Sequence, residues 1–169
     1  LDADAEERAG LLPILPEESR NDIAEVLIAL EAKACMTEHS KSLPRLFAEI
    51  LATGDLAKQA VPGCLTVAYS VVNSSTSFVS PSTKVPNLHD QPRDAKLTID
   101  MLGTAIPTSR EFKYGFDAIG TTVIDCRNDG SPVRLVEGYP APKSHDHHNY
   151  QRMIQALCSR YRERFGTTL

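Results

Sequence analysis

Glu137 closes the apolar run Val133–Val136 and precedes Gly138-Tyr139-Pro140. A carboxylate at the end of a strand can orient a histidine and stabilise its charged form, as the third member of a Cys-His-acid set does. The same residue also fits a solvent-facing acid at a hairpin exit. A second cluster, Ser144-His145-Asp146-His147-His148, follows closely. The imidazoles of His145, His147 and His148 are of the type that binds zinc or nickel or responds to pH. They stand directly before a helix, where Ser144 or Asp146 makes a good N-cap. Convergence on a metal would need an irregular backbone, and no fourth ligand lies at useful spacing. A cap with a solvated surface is the favoured reading, and no metal site is assigned. Cysteines stand at 35, 64, 126 and 158 with no Cys-x-x-Cys pair, so a cysteine-built zinc site is not expected and reduced thiols are. Arg152, Arg160, Arg162 and Arg164, joined by Lys143, could hold an anion, although a solvated basic face explains them as well.

These groups need elements to position them. Asn21 caps a predicted helix over 21–38, with Ile23, Val26, Leu27 and Leu30 at i, i+3, i+4 and i+7. His39 then falls near its C-terminus, facing the helix dipole. A second helix is predicted to start at Pro44, run through Leu46, Phe47, Ile50 and Leu51, and stop at Gly54. Cys64 to Val72 is rich in β-branched residues and reads as a buried strand. Residues 73–93 are dominated by Ser, Thr, Pro and Asn and read as a long loop, with His89 lacking an identifiable partner. Lys96 to Met101 alternates Leu97, Ile99 and Met101 against Lys96, Thr98 and Asp100, which predicts a strand. A hairpin follows, with strands at 119–126 and 132–137 around the turn Asn128-Asp129-Gly130. A last helix over 147–165 places Met153, Ile154, Leu157 and Tyr161 on one face. The order ααβββα predicts an α+β fold: a small antiparallel sheet with helices packed on it.

The 169 residues suit a single domain over 21–169, after a poorly ordered acidic and proline-punctuated leader at 1–20. Hydrophobic residues make up 41% and charged residues 24%, so a core can form without disulfides or metals. A formal charge of −4 argues against nonspecific nucleic-acid binding. No apolar run reaches the roughly 20 residues of a membrane span. No signal peptide is visible, and a cytoplasmic setting is expected. The start at Leu1 suggests a fragment or a processed product.

Val123-Ile124-Asp125, a polar turn, an apolar strand, and Glu137 followed by a small residue and a proline resemble the catalytic hairpin of the YopJ-like effectors. These are type III secreted acetyltransferases of virulence systems that act on serine, threonine and lysine of host proteins. The resemblance covers about 25 residues closely, and the order of elements loosely over 21–165. It implies that Glu137 is the catalytic acid, that Gly120 stands where the family has its histidine, and that the nucleophilic cysteine lies beyond Leu169. Cys158, inside a basic amphipathic helix, does not replace it. It further implies, for active members only, acetyl-CoA as donor and inositol hexakisphosphate as activator, with no cofactor expected in this chain. The chain is then expected to be a fragment or an inactive relative, delivered into a host cell and binding host signalling proteins. The alternative expectation is a small α+β protein-interaction domain without catalysis.

Overall fold

The computed structural model describes residues 25–105 and 115–166. The first element is a strand, β1 (Ile28–Cys35), followed by helix α1 (His39–Ala60) and strand β2 (Leu65–Asn73). Two short strands, β3 (Ser77–Val79) and β4 (Pro86–Leu88), form an antiparallel hairpin of their own. Helix α2 (Arg93–Gly103), strand β5 (Ala118–Asp125), the two-residue strand β6 (Arg134–Leu135) and helix α3 (Tyr150–Phe165) complete the described chain. The main sheet runs β1-β2-β5-β6, parallel across its first three strands and antiparallel at β6. The three described helices on a small sheet make an α+β fold. The sheet is mixed and not antiparallel as the sequence predicts, because α1 carries the chain from β1 across to β2 in the same direction.

One face of the sheet packs on α1 and α2, burying Leu46, Ile50, Ala68, Val72, Ile99, Leu102, Ile119 and Val123. The other face packs on α3 through Val67, Ala118 and Met153, with Tyr69, Ala156 and Leu157 alongside. No described helix is long and apolar enough to cross a membrane.

Several local expectations are corrected. The helix predicted over 21–38 is β1 where it is described; residues 21–24, like the leader, lie outside the described residues. Ala, Glu and Lys favour helices, but the eight in-register pairs from Ile28↔Leu65 to Cys35↔Val72 override that preference. Its Leu30 points outward instead of into a helical core and is 60% exposed. Lys96–Met101 is not a strand but part of α2. Its true inner stripe is Ala95, Thr98, Ile99 and Leu102, while Leu97 and Met101 are exposed. Helix α1 begins before Pro44 and runs past Gly54. Pro44 removes one backbone bond, and it does so on the exposed side of the helix. Gly54 is not a stop: a Cβ there would lie 2.8 Å from the Phe116 ring, so the glycine lets that ring pack against the helix. The return strand shrinks from 132–137 to Arg134–Leu135. The N-cap of α3 is Asn149, whose Oδ1 accepts from the Gln151 amide at 3.0 Å, not Ser144 or Asp146.

The 73–93 loop is anchored by Asn73, which is fully buried. Its Nδ2 donates to the carbonyls of Met36 (3.0 Å) and Cys126 (2.8 Å). Its Oδ1 accepts from the amides of Ser75 and Cys126, each at 3.0 Å. One side chain thus joins the C-terminal ends of β1, β2 and β5.

Candidate functional site

Glu137 is exposed and lines a cavity of about 350 Å³ with Thr121, Thr122, Leu135, Lys143 and Tyr150, among others. Neither histidine nor cysteine is among the residues lining it. Gly120 lies on β5 beneath α3, and a Cβ there would come within 2.4 Å of Met153 Sδ. The packing at this position therefore has no room for an imidazole. Cys158 is exposed on α3.

The histidine cluster is spread out, not convergent. His147 Nε2 donates to the Gly103 carbonyl at 2.7 Å, and the His148 ring lies over Gly103, 3.1 Å from where a Cβ would be. Burial, with His147 beside it, lowers the pKa of His148. His145 is largely exposed, 3.5 Å from Asp146, whose carboxyl is held below its usual range by the Lys143 amide. Among the described residues no group of three metal-ligating side chains is arranged to hold a metal ion.

His39 and His89 also differ from expectation. His39 starts α1 and is buried, its Nε2 donating to the Asn73 carbonyl at 2.7 Å. His89 has partners: Nδ1 donates to the Ser75 carbonyl (2.9 Å) and Nε2 accepts from the Thr37 hydroxyl (3.0 Å). The two rings meet edge to face at 5.0 Å and fasten the loop to the sheet end.

The arginines of α3 divide. Arg160 and Arg164 reach Asp117 Oδ1 at 3.1 and 3.5 Å. Lys58 reaches Oδ2 at 2.7 Å, as does the Thr66 amide at 2.8 Å. Asp117 itself is buried. Burial pushes its carboxyl up, but the bonds from Lys58 and Thr66 and the charge of Arg164 outweigh that, and the net shift is downward. Arg152 donates through Nε to the Ser144 carbonyl at 3.1 Å.

The cluster that the sequence reading missed lies on β1. In a helix, Glu31 and Lys33 would point to different sides. In a strand they share a face, here the face turned toward α1. Lys33 Nζ lies 2.9 Å from Glu31 Oε1 and 3.2 Å from Glu49 Oε2 of α1. Arg45, one turn earlier, reaches the other Glu49 oxygen at 3.5 Å. Bonds to Glu31 and then Glu49 raise the Lys33 pKa, which keeps it an ammonium. The polarity of β1 is thereby inverted: Glu31 and Lys33 face the helix layer, while Ile28 and Leu30 face outward. A period-two reading of Ile28-Ala-Leu-Glu-Ala-Lys-Ala-Cys35 was the signal that could have found it.

Compared with known proteins, the chain matches no family model, no curated protein and no solved structure.

Proposed function

We propose that Glu31, Glu49 and Lys33 form a divalent-cation-dependent site for hydrolysis of a phosphate ester. The observation that carries this reading is the inverted polarity of β1. Exposed ion pairs contribute about 0–1 kcal/mol, so stability alone gives little reason to turn a Glu and a Lys toward the core face and two apolar side chains toward solvent.

The two carboxylates face one point, now taken by the Lys33 ammonium. Magnesium is commonly held by one or two carboxylates together with substrate phosphate oxygens and waters. Glu31 and Glu49 are the residues that would hold such a cation, which would supply polarisation of a phosphoryl oxygen. Lys33, beside both carboxylates, would stabilise the charge that builds on the phosphoryl oxygens. Hydrolysis adds water across one P–O bond: the water oxygen bonds to phosphorus, and the departing ester oxygen takes up a proton. Lys33, held charged, acts as an electrostatic stabiliser and not as the base.

The test measures release of nitrophenol from bis-p-nitrophenyl phosphate, and cleavage of DNA and RNA, with magnesium or manganese. Glu31→Gln and Lys33→Met are each expected to lower the rate about 100-fold. Lys33→Met also removes the competing ammonium, so manganese should raise its melting temperature more than that of the wild type. The reading is overturned if no substrate is cleaved with either cation, or if Lys33→Met cleaves as fast as wild type.

A second reading rests on the placement of Glu137 beside a cavity between the β5–β6 hairpin and α3. It takes the chain as a fragment or inactive relative of the YopJ-like acetyltransferases that binds a host signalling protein. Incubation with labelled acetyl-CoA should then leave the chain unlabelled; robust self-acetylation would refute the inactive assignment.

A further inference from the structure

A separate cavity, about 530 Å³ in volume, opens where the start of β5 meets α3. Its apolar floor includes Ala118, Met153 and Ala156, and its polar rim carries Arg152, Arg160, His145 and His147. Among the described residues, Asp117 is the only carboxylate lining it. That carboxylate is already shared among Lys58, Arg160 and Arg164, so the group as a whole carries surplus positive charge. Arg152 uses Nε on the Ser144 carbonyl, which fixes the plane of its guanidinium and leaves its two terminal nitrogens for a ligand. A concave site with apolar walls strengthens the field of such charges relative to open solvent. Guanidinium groups match phosphate oxygens in pairs.

We infer that this cavity binds a compact phosphate-bearing anion, with Arg152 and Arg160 as the principal contacts and the rim imidazoles as further hydrogen-bonding partners. The site is independent of Glu31, Lys33 and Glu49, which lie on the α1 side of the sheet. Failure of either assignment leaves the other standing.

Titration calorimetry of the whole chain with pyrophosphate tests the inference, because the probe carries two phosphate groups and no base or sugar. Binding is expected at about 50 mM salt and should weaken steeply toward 500 mM. Arg152→Gln, on the exposed face of α3, should weaken it about tenfold or more. Lys143→Gln, an exposed cation outside this cavity, should leave it unchanged. Circular dichroism checks that both variants keep their helix content. Absence of pyrophosphate binding overturns the inference. Equal losses in Arg152→Gln and Lys143→Gln would also overturn it, since that result marks diffuse surface attraction. A further titration uses a single-stranded oligonucleotide, and binding of that probe without pyrophosphate overturns it too.

Discussion

Asp117→Asn removes one negative charge and keeps the shape of the side chain. The carbonyl oxygen of Asn can still accept from the Thr66 amide, so the variant isolates the ionic part of the interaction. Lys58, Arg160 and Arg164 would be left around a neutral group. Breaking a fully buried pair costs about 3–5 kcal/mol. Here the cations are only partly buried, at 17%, 44% and 36% side-chain exposure, and can turn toward water. That relief lowers the expected loss to about 2–3 kcal/mol. For a chain of this length, about 1 kcal/mol corresponds to roughly 2–4 °C in melting temperature. Urea unfolding of wild type and variant from pH 7 to pH 2 gives the assay. The Asp117 carboxyl is depressed in the folded state, so its contribution is fully present above the unfolded value of about 4 and is lost as pH falls through the folded value. The gap between wild type and Asp117→Asn should therefore stay constant from pH 7 to about pH 4 and close below it. A gap under about 0.5 kcal/mol at pH 7, or one that persists undiminished at pH 2, would refute the reasoning.

Gly120→Ala forces a methyl group against Met153, which is itself buried, and should cost about 1–3 kcal/mol by calorimetry. Asn73→Ala leaves the carbonyls of Met36 and Cys126 and the amides of Ser75 and Cys126 without their partner. It should cost about 3 kcal/mol or more in urea unfolding. His39 and His148 are both lowered, first by burial, so the unfolded chain binds more protons than the folded one below about pH 6.5. Stability should fall as pH drops from 7 to 5, and His148→Phe should flatten that slope, as read from melting temperatures across the range.

The fold class was legible because β2 is rich in β-branched residues, β5 precedes a clear turn, and α3 carries a helical stripe. Ile154, predicted on the inner face of α3, is exposed, and Ala156 takes that side beside Met153 and Leu157. The errors share a cause. Around residues 21–38 the helical spacing of Ile23, Val26, Leu27 and Leu30 straddles the start of β1. Over 96–101 an alternation of Leu97, Ile99 and Met101 masked the helical stripe of Ala95, Thr98, Ile99 and Leu102. In both places the decisive partner is distant in sequence: β2 for β1, and the α1-side core for α2. The misread strand hid the Glu31–Lys33–Glu49 cluster, because two residues apart means one face in a strand and different faces in a helix. Asp117, which stands just before the apolar strand β5, offered no spacing signal. Its partners Lys58, Thr66, Arg160 and Arg164 converge only through the fold.

Asn73 gives the sheet a seam that does not depend on the hairpin beyond it. Because one buried amide secures the ends of three parallel strands, the tip of the β3–β4 hairpin around 81–84 is relieved of any fastening duty. That makes the tip a natural place for the chain to lengthen or diversify, with the strand ends beneath it held in register throughout.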